Sequence, residues 1–260
     1  MEVEQSDNRL RDKTAIVTGA AGGIGRAVTE MFTQNGCNVL AVDLNESDLR
    51  EHVDSGGNSR SSHYVADVSR FEDNVAMVQA AKERYGGFDI LIANAGIEGQ
   101  IKSILDYDDE IFDRVMAVNV KGVWNGMRAA VPSMIERGGG SIVITSSVAG
   151  LRGGAGLSPY CTSKHAVIGL MRSAAKEFAS VGIRVNTVNP SPVETRMMRS
   201  LEDGMMPNDR EAAKQRITST IPLQRYAQPT EIAQVMLFLA SNESSFVTGA
   251  VYTVDGGNTA

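Results

Sequence analysis

Short runs of apolar and β-branched residues recur along the chain at Thr14 to Thr18, Asn38 to Val42, His63 to Ala66, Ile90 to Ala93, Ser141 to Thr145, Arg184 to Val188 and Val251 to Val254. Runs this short and this apolar read as strands buried on both faces. Between them, Ile24 to Asn35, Phe71 to Tyr85, Glu110 to Glu136, Pro159 to Ser180 and Glu231 to Ser241 carry apolar residues at helical spacing. Parallel strands need crossover connections, and right-handed helical crossovers on both faces predict an α/β fold, a doubly wound parallel sheet of about seven strands. Only Glu194 to Ser219 has no place in this alternation. No proline-rich or serine-rich linker and no repeat divides the 260 residues, so one domain is expected, with residues 1–12 as a polar N-terminal extension.

Composition narrows the class of partner. The net charge of -6 leaves no basic footprint for nucleic acid or anionic lipid. The acidic opening, Met1 to Leu10, lacks the basic start and apolar middle of a signal peptide, and no run approaches the roughly 20 apolar residues that span a bilayer. A cytoplasmic protein is expected. Cys37 and Cys161 give neither a disulfide framework nor metal-ligand spacing, and His52, His63 and His165 are too scattered to supply a metal site.

Two stretches carry candidate chemistry. The first strand runs into Thr18-Gly19-Ala20-Ala21-Gly22-Gly23-Ile24-Gly25 and then directly into a helical pattern. Glycines there permit a tight turn and close backbone approach, and the helix N-terminus offers free N–H groups and a positive dipole end to a pyrophosphate. Asp43 ends the second strand, where a doubly wound fold places an acid against ribose hydroxyls; it equally fits as a cap for the next turn. With Leu44 behind it and no Lys or Arg within the glycine loop, a carboxylate at the ribose would repel a 2′-phosphate, so NAD is expected rather than NADP. The other stretch is Ser158-Pro-Tyr-Cys-Thr-Ser-Lys-His165, in which Tyr160 and Lys164 lie one helical turn apart. A solvated helix face explains such a pair when it stands alone, but beside a dinucleotide site it reads as an acid/base pair in which the ammonium favours phenolate. For the phenol to titrate near 7 rather than near 10, the anion must be favoured by about 4 kcal/mol, with Lys164 and an oxidised nicotinamide both supplying positive charge.

Taken together these motifs resemble the short-chain dehydrogenase/reductase family, over about Lys13 to Gly257. Gly19, Gly23, Ile24 and Gly25 match the family's glycine loop, Asp67-Val68 sits where the family contacts adenine, and Asn94-Ala95-Gly96 matches its fourth-strand turn. The resemblance implies a Rossmann fold and a catalytic set of Asn119, Ser147, Tyr160 and Lys164. Tyr160 would exchange the proton with an alcohol or ketone, Ser147 would hydrogen-bond the substrate oxygen, Lys164 would also hold the nicotinamide ribose, and Asn119 would help a water link Lys164 to solvent. Taken singly, Asn119 also fits as the stabiliser of a helix kink, and Ser147 as a partner for backbone groups after a buried strand. Pro190, Val193 and Thr195 match the segment that holds the nicotinamide carboxamide, with Ser191 in place of the usual glycine, a strained substitution if that position needs positive φ.

The resemblance further implies a substrate-covering lid over residues 194–221, in which Met197, Met198, Leu201, Met205 and Met206 either line an adaptable apolar pocket or pack the lid itself. Ile97, Leu151 and Cys161 are further candidates for the pocket wall. It implies a homotetramer paired through the two long helices, a small-molecule alcohol or ketone as substrate, and no metal. A 3-oxoacyl-[acyl-carrier-protein] reductase is the enzymatic alternative, which Asp43 opposes because that activity usually runs with NADPH. A non-catalytic dinucleotide sensor or scaffold is the alternative from outside the enzymes, and the presence of both Tyr160 and Lys164 opposes it.

Overall fold

The computed structural model describes residues 8–55 and 59–260; the side chains of His52, Asp54 and Ser55, and the opening residues 1–7 of the expected extension, lie outside what it describes. Seven parallel strands form one sheet in the order β3-β2-β1-β4-β5-β6-β7: β1 (Thr14–Thr18), β2 (Asn38–Asp43), β3 (Ser61–Val65), β4 (Ile90–Ala93), β5 (Gly140–Thr145), β6 (Ile183–Pro190) and β7 (Val251–Val254). The order reverses between β1 and β4, and the carboxyl ends of the strands on either side of such a switch point frame a crevice. Every residue of β1, and of β4 beside it, is buried, which is why both lack polar alternation.

One face of the sheet is covered by α3 (Phe71–Tyr85), α5 (Gly122–Glu136) and α6 (Ser158–Phe178), whose Met77, Met134 and Met171 share a core with Leu91 and Ile142. The opposite face is covered by α1 (Gly23–Gln34), α2 (Glu46–Ser55) and α9 (Pro229–Ala240), where Phe32, Leu49 and Met236 pack on Val17 and Ile92. Leu10 enters this second core, 1% exposed, so the last part of the expected polar extension is anchored. No described helix is long and apolar enough to cross a membrane.

Several elements depart from the pattern read along the chain, among them α2, where no helix was expected. The expected helix from Glu110 to Glu136 is interrupted: α4 (Asp109–Met116) gives way to a π-helical turn at Ala117–Lys121, where Gly122 N–H donates to the Ala117 carbonyl, before α5 resumes. Such a turn inserts one residue into the helical ladder and re-aims what it carries, and π-bulges are frequent at functional sites. The third strand begins two residues early because it is a sheet edge, where Ser61 and Ser62 need not be apolar. Residues 194–219 hold two helices, α7 (Arg196–Met205) and α8 (Arg210–Thr218).

Candidate active site

The strand ends, the glycine loop and α7 enclose one elongated cavity of about 1160 Å³. Gly19, Gly23, Ile24, Asp43, Leu44, Asp67, Val68, Asn94, Ala95, Gly96, Ser147, Tyr160, Lys164, Pro190, Val193 and Thr195 all line it. Gly25 and Asn119 do not, and each has a packing reason. A Cβ on Gly25 would fall 2.1 Å from the Gly19 carbonyl oxygen, so Gly25 lets α1 start against the turn. Gly19 has φ +66, and a Cβ there would lie 2.8 Å from Ala95 Cα, so the turn approaches β4 with nothing between.

Backbone donors converge on Asp43 at one end of the cavity. Its carboxylate accepts from Ala21 N at 2.9 Å and from Leu44 N at 2.7 Å, with Asn45 N at 3.3 Å, so it caps the following turn and ties it to the glycine loop while lining the cavity. Two guanidinium groups at this end are engaged elsewhere. Arg26 donates to the Ala21 and Asp48 carbonyls, and Arg196, on α7, pairs with the Asp48 carboxylate at 3.2 Å.

At the other end α6 presents Tyr160 and Lys164 from consecutive turns, with the Lys164 Nζ 5.5 Å from the Tyr160 ring centroid. Lys164 is 4% exposed and donates to the Thr145 carbonyl at 2.8 Å. Gly96 lies beside it, where a Cβ would stand 3.3 Å from the Asn119 side-chain oxygen and 3.5 Å from that Nζ. Thr145 in turn donates to the Asn94 side chain, and Asn94 donates to the Thr18 and Gly19 carbonyls, so β1, β4 and β5 are stitched together directly behind the site. Ser147 accepts from Ala149 N at 3.1 Å and donates to the Pro190 carbonyl at 3.4 Å, with its hydroxyl close enough to Tyr160 to favour the phenolate. Neighbouring Ser146, by contrast, spends its hydroxyl on the Lys164 carbonyl. Asn119, on the π turn, accepts from Ile97 N at 2.8 Å and donates to Ile97 O at 2.9 Å and Ser163 Oγ at 3.0 Å. Its amide therefore clamps the chain beside Lys164, which leaves no amide donor for the water expected there.

In the protein alone the phenol does not titrate near neutrality. Burial pushes the Tyr160 phenol up to about 12; the Ser147 hydrogen bond pulls it down, while the charges of Glu98 and Cys161 push it further up. Lys164 does not bring the phenol to neutrality in the protein alone, because burial lowers Lys164 itself to about 8 and its ammonium is turned to Thr145. At neutral pH the site holds a protonated phenol beside a charged ammonium. The two shifts have opposite consequences for stability. Lys164 is charged in both states below pH 8; from 8 to about 10.5 the folded chain has released that proton while the unfolded chain keeps it, so stability rises by about 3 kcal/mol. From about pH 10 to 12 Tyr160 acts the other way, as the unfolded phenol ionises first. Urea unfolding between pH 7 and 9 is expected to show this contribution as a difference between the native protein and Lys164→Met, because above about pH 9 the buried thiols of Cys37 and Cys161, pushed up by burial, act in the opposite sense.

Ser191 does not carry positive φ; among the described residues only Asp12 and Gln224 do so without being glycine. The serine thus fits this turn without backbone strain. Of the lid methionines, Met197, Met198 and Met205 line the cavity together with Leu201, whereas Met206 does not; Ile97 and Cys161 line it and Leu151 does not. Beneath the lid lies a charge cluster. Glu202, fully buried on α7, receives two hydrogen bonds from Arg199, at 2.7 and 2.9 Å; Arg199 also binds Glu194, which Lys214 of α8 reaches at 2.6 Å. Tyr226 lies under both cations. Glu202→Ala leaves Arg199 one carboxylate short and is expected to cost about 2 to 3 kcal/mol in urea unfolding, below the full value for a buried pair because Arg199 keeps some water contact.

Comparison with known proteins agrees with this geometry. A family model described as "Enoyl-(Acyl carrier protein) reductase" matches residues 19–259. The chain is 41% identical over 251 residues to the 3-oxoacyl-[acyl-carrier-protein] reductase FabG of Thermotoga maritima, covering 96% of this chain and 98% of that protein. It is 39% identical over 253 residues to the oxidoreductase UcpA of Salmonella typhimurium, covering 96% of each. The chain belongs to the short-chain dehydrogenase/reductase family. A solved short-chain dehydrogenase/reductase structure, levodione reductase, superposes with a TM-score of 0.92 at 32% identity, covering 95% of this chain and 98% of that one. As a short-chain dehydrogenase/reductase the chain is an oxidoreductase with a Rossmann fold, in a family that works with a nicotinamide dinucleotide.

The sequence alone did not single out several lining residues of this short-chain dehydrogenase/reductase. Glu98, Ile101, Arg114 and Arg152 sit on loops and helix turns that no motif covers.

Proposed function

We propose that the protein is an NAD-dependent oxidoreductase that interconverts a secondary alcohol and a ketone, with Tyr160 as general acid/base. The observation that carries this reading is that Tyr160, Ser147 and Lys164 open onto the same cavity as the glycine loop and Asp43. The residues fit a dinucleotide: a side chain at Gly19 or Gly25 would collide with backbone, the Gly23 turn meets Thr195, and a carboxylate stands at the far end. Gly19, Gly23, Ile24 and the start of α1 would hold the pyrophosphate. Asp43 and Leu44 would hold the adenosine ribose, Asp67 and Val68 the adenine, and Asn94, Ala95 and Gly96 the wall between. Lys164 and Tyr160 would hold the nicotinamide ribose, and Pro190, Val193 and Thr195 the carboxamide. Gly25 and Asn119 support this site from behind. When bound, the nicotinamide supplies the hydride-transferring carbon.

For ketone reduction the protonated phenol of Tyr160 gives its proton to the substrate oxygen, Ser147 donates to that same oxygen as negative charge develops, and Lys164 stabilises the phenolate left behind. Alcohol oxidation runs the same proton path in reverse. Initial rates with NAD or NADH over a panel of secondary alcohols and ketones, repeated with NADP or NADPH, test the reading; no turnover with any of them would overturn it. A second reading, reduction of 3-oxoacyl thioesters, is favoured by the 41% identity to the Thermotoga maritima enzyme. NADPH-linked reduction of an acetoacetyl thioester, faster than that of any simple ketone, would support it instead.

A further inference from the structure

The substrate end of the cavity is mostly apolar, with Ile97, Ile101, Leu157, Met198 and Leu201 on its walls. Glu98 interrupts this lining with a half-buried carboxylate. Among the described residues no hydrogen bond or ion pair engages its side chain, although its charge reaches the phenol of Tyr160. The cations that share the cavity do not serve it. Lys164 is turned to Thr145, Arg152 to Asn258 and Arg196 to Asp48, and Arg114 on α4 stays beyond ion-pair reach.

The segment that carries Glu98 is held from both sides. Asn119 binds both backbone groups of Ile97, Gln100 N donates to Tyr107 Oη at 2.8 Å, and Lys102 N donates to the Gly156 carbonyl at 3.0 Å. Ile101 packs against Gly204 of the lid, closely enough that a Cβ there would lie 3.1 Å from its Cδ1. An ionised carboxylate only accepts hydrogen bonds, and a partly desolvated one without a donor carries an unmet demand. A ligand that brings a donor meets it. A ligand ammonium would have to shed its hydration against apolar walls, which favours a neutral hydroxyl.

We propose that Glu98 is a specificity-determining residue that accepts a hydrogen bond from a second hydroxyl of the substrate, making diols and hydroxyketones the preferred substrate class. The assignment rests on the alcohol and ketone chemistry proposed above. It also disfavours 3-oxoacyl thioesters, whose second oxygen is a carbonyl acceptor and would face an acceptor.

The test compares kcat/KM with NAD for cyclohexanol and for the cis and trans cyclohexane-1,2-, 1,3- and 1,4-diols. At least one diol is expected to exceed cyclohexanol by about tenfold or more, because a site built to bind a hydroxyl discriminates strongly against its loss. That ratio is expected to fall to about twofold or less in Glu98→Leu and to an intermediate value in Glu98→Gln, whose amide oxygen still accepts. A native ratio near one for every diol, or a preference that survives both substitutions, overturns the assignment while leaving the oxidoreductase reading intact. Absence of turnover with cyclohexanol, every diol and the wider panel overturns both.

Discussion

Replacing Tyr160 by Phe is expected to lower turnover about 10³-fold in both directions, the range a positioned general acid or base supplies. Only the hydroxyl is lost, while the ring remains against Lys164 on α6. Reduction and oxidation should nevertheless respond differently to pH in the native enzyme. With the phenol up at about 12, only about one molecule in 10⁵ carries phenolate at pH 7 in the free protein, so the acid needed for reduction is present throughout the neutral range. Its kcat/KM is expected to hold level from pH 6 and to fall above about 8, where the Lys164 ammonium that stabilises the departing phenolate discharges. Oxidation needs the phenolate and is expected to quicken as pH rises from 6 to 8. Single-turnover hydride transfer followed by nicotinamide absorbance measures both. Unchanged turnover in Tyr160→Phe would remove this residue from the proton path.

How legible this site was in the sequence depends on what kind of physical constraint produced each part. The strands β1, β4 and β5 could be read because burial on both faces leaves nearly continuous apolar and β-branched runs. Helix α2 could not: of its residues Leu49 and Val53 face the core, while the rest of Glu46–Ser55 is dominated by polar side chains. The π turn at Ala117–Lys121 was foreshadowed only by the reading of Asn119 as the stabiliser of a helix kink, for a different reason. Its residues continue a helical pattern, and the change of ladder depends on Asn119 reaching across to Ile97 and Ser163, a long-range contact.

The lid combines both difficulties. Its folding rests on the buried Glu202 and its cluster with Arg199, Glu194 and Lys214, so charged residues stand where a hydrophobic pattern would be sought. The Tyr160/Lys164 pair and the glycine loop stood out because their spacings are local and chemically demanding. Glu98 was not, since a single loop carboxylate has no spacing to betray it; only the cavity shows what it faces. The same holds for the state of the proton on Tyr160, which residue identities do not reveal and which burial pushes towards the protonated form in the protein alone.

Cofactor choice should turn on Asp43. In the native protein NADH is expected to bind about 10²-fold more tightly than NADPH, and Asp43→Asn is expected to reduce that ratio to about tenfold or less. Two unit charges 4 Å apart at the protein surface interact by about 4 kcal/mol, which screening by salt reduces, and about 1.4 kcal/mol corresponds to each factor of ten. The Asp43 carboxylate cannot easily turn away from a ribose phosphate, because Ala21 N holds one oxygen and Leu44 N the other. Among the described residues, two guanidinium groups at this end of the cavity are engaged elsewhere. Arg26 is bonded to the Ala21 and Asp48 carbonyls, and Arg196 to the Asp48 carboxylate. The asparagine variant keeps an acceptor for ribose hydroxyls and loses the charge, so affinity for NADH should change less than affinity for NADPH. Fluorescence titration of both nucleotides at 50 and 300 mM salt checks the argument. Electrostatic exclusion predicts that the native preference narrows at the higher salt and that the variant's ratio barely moves; tighter binding of NADPH by the native protein would refute the role of Asp43.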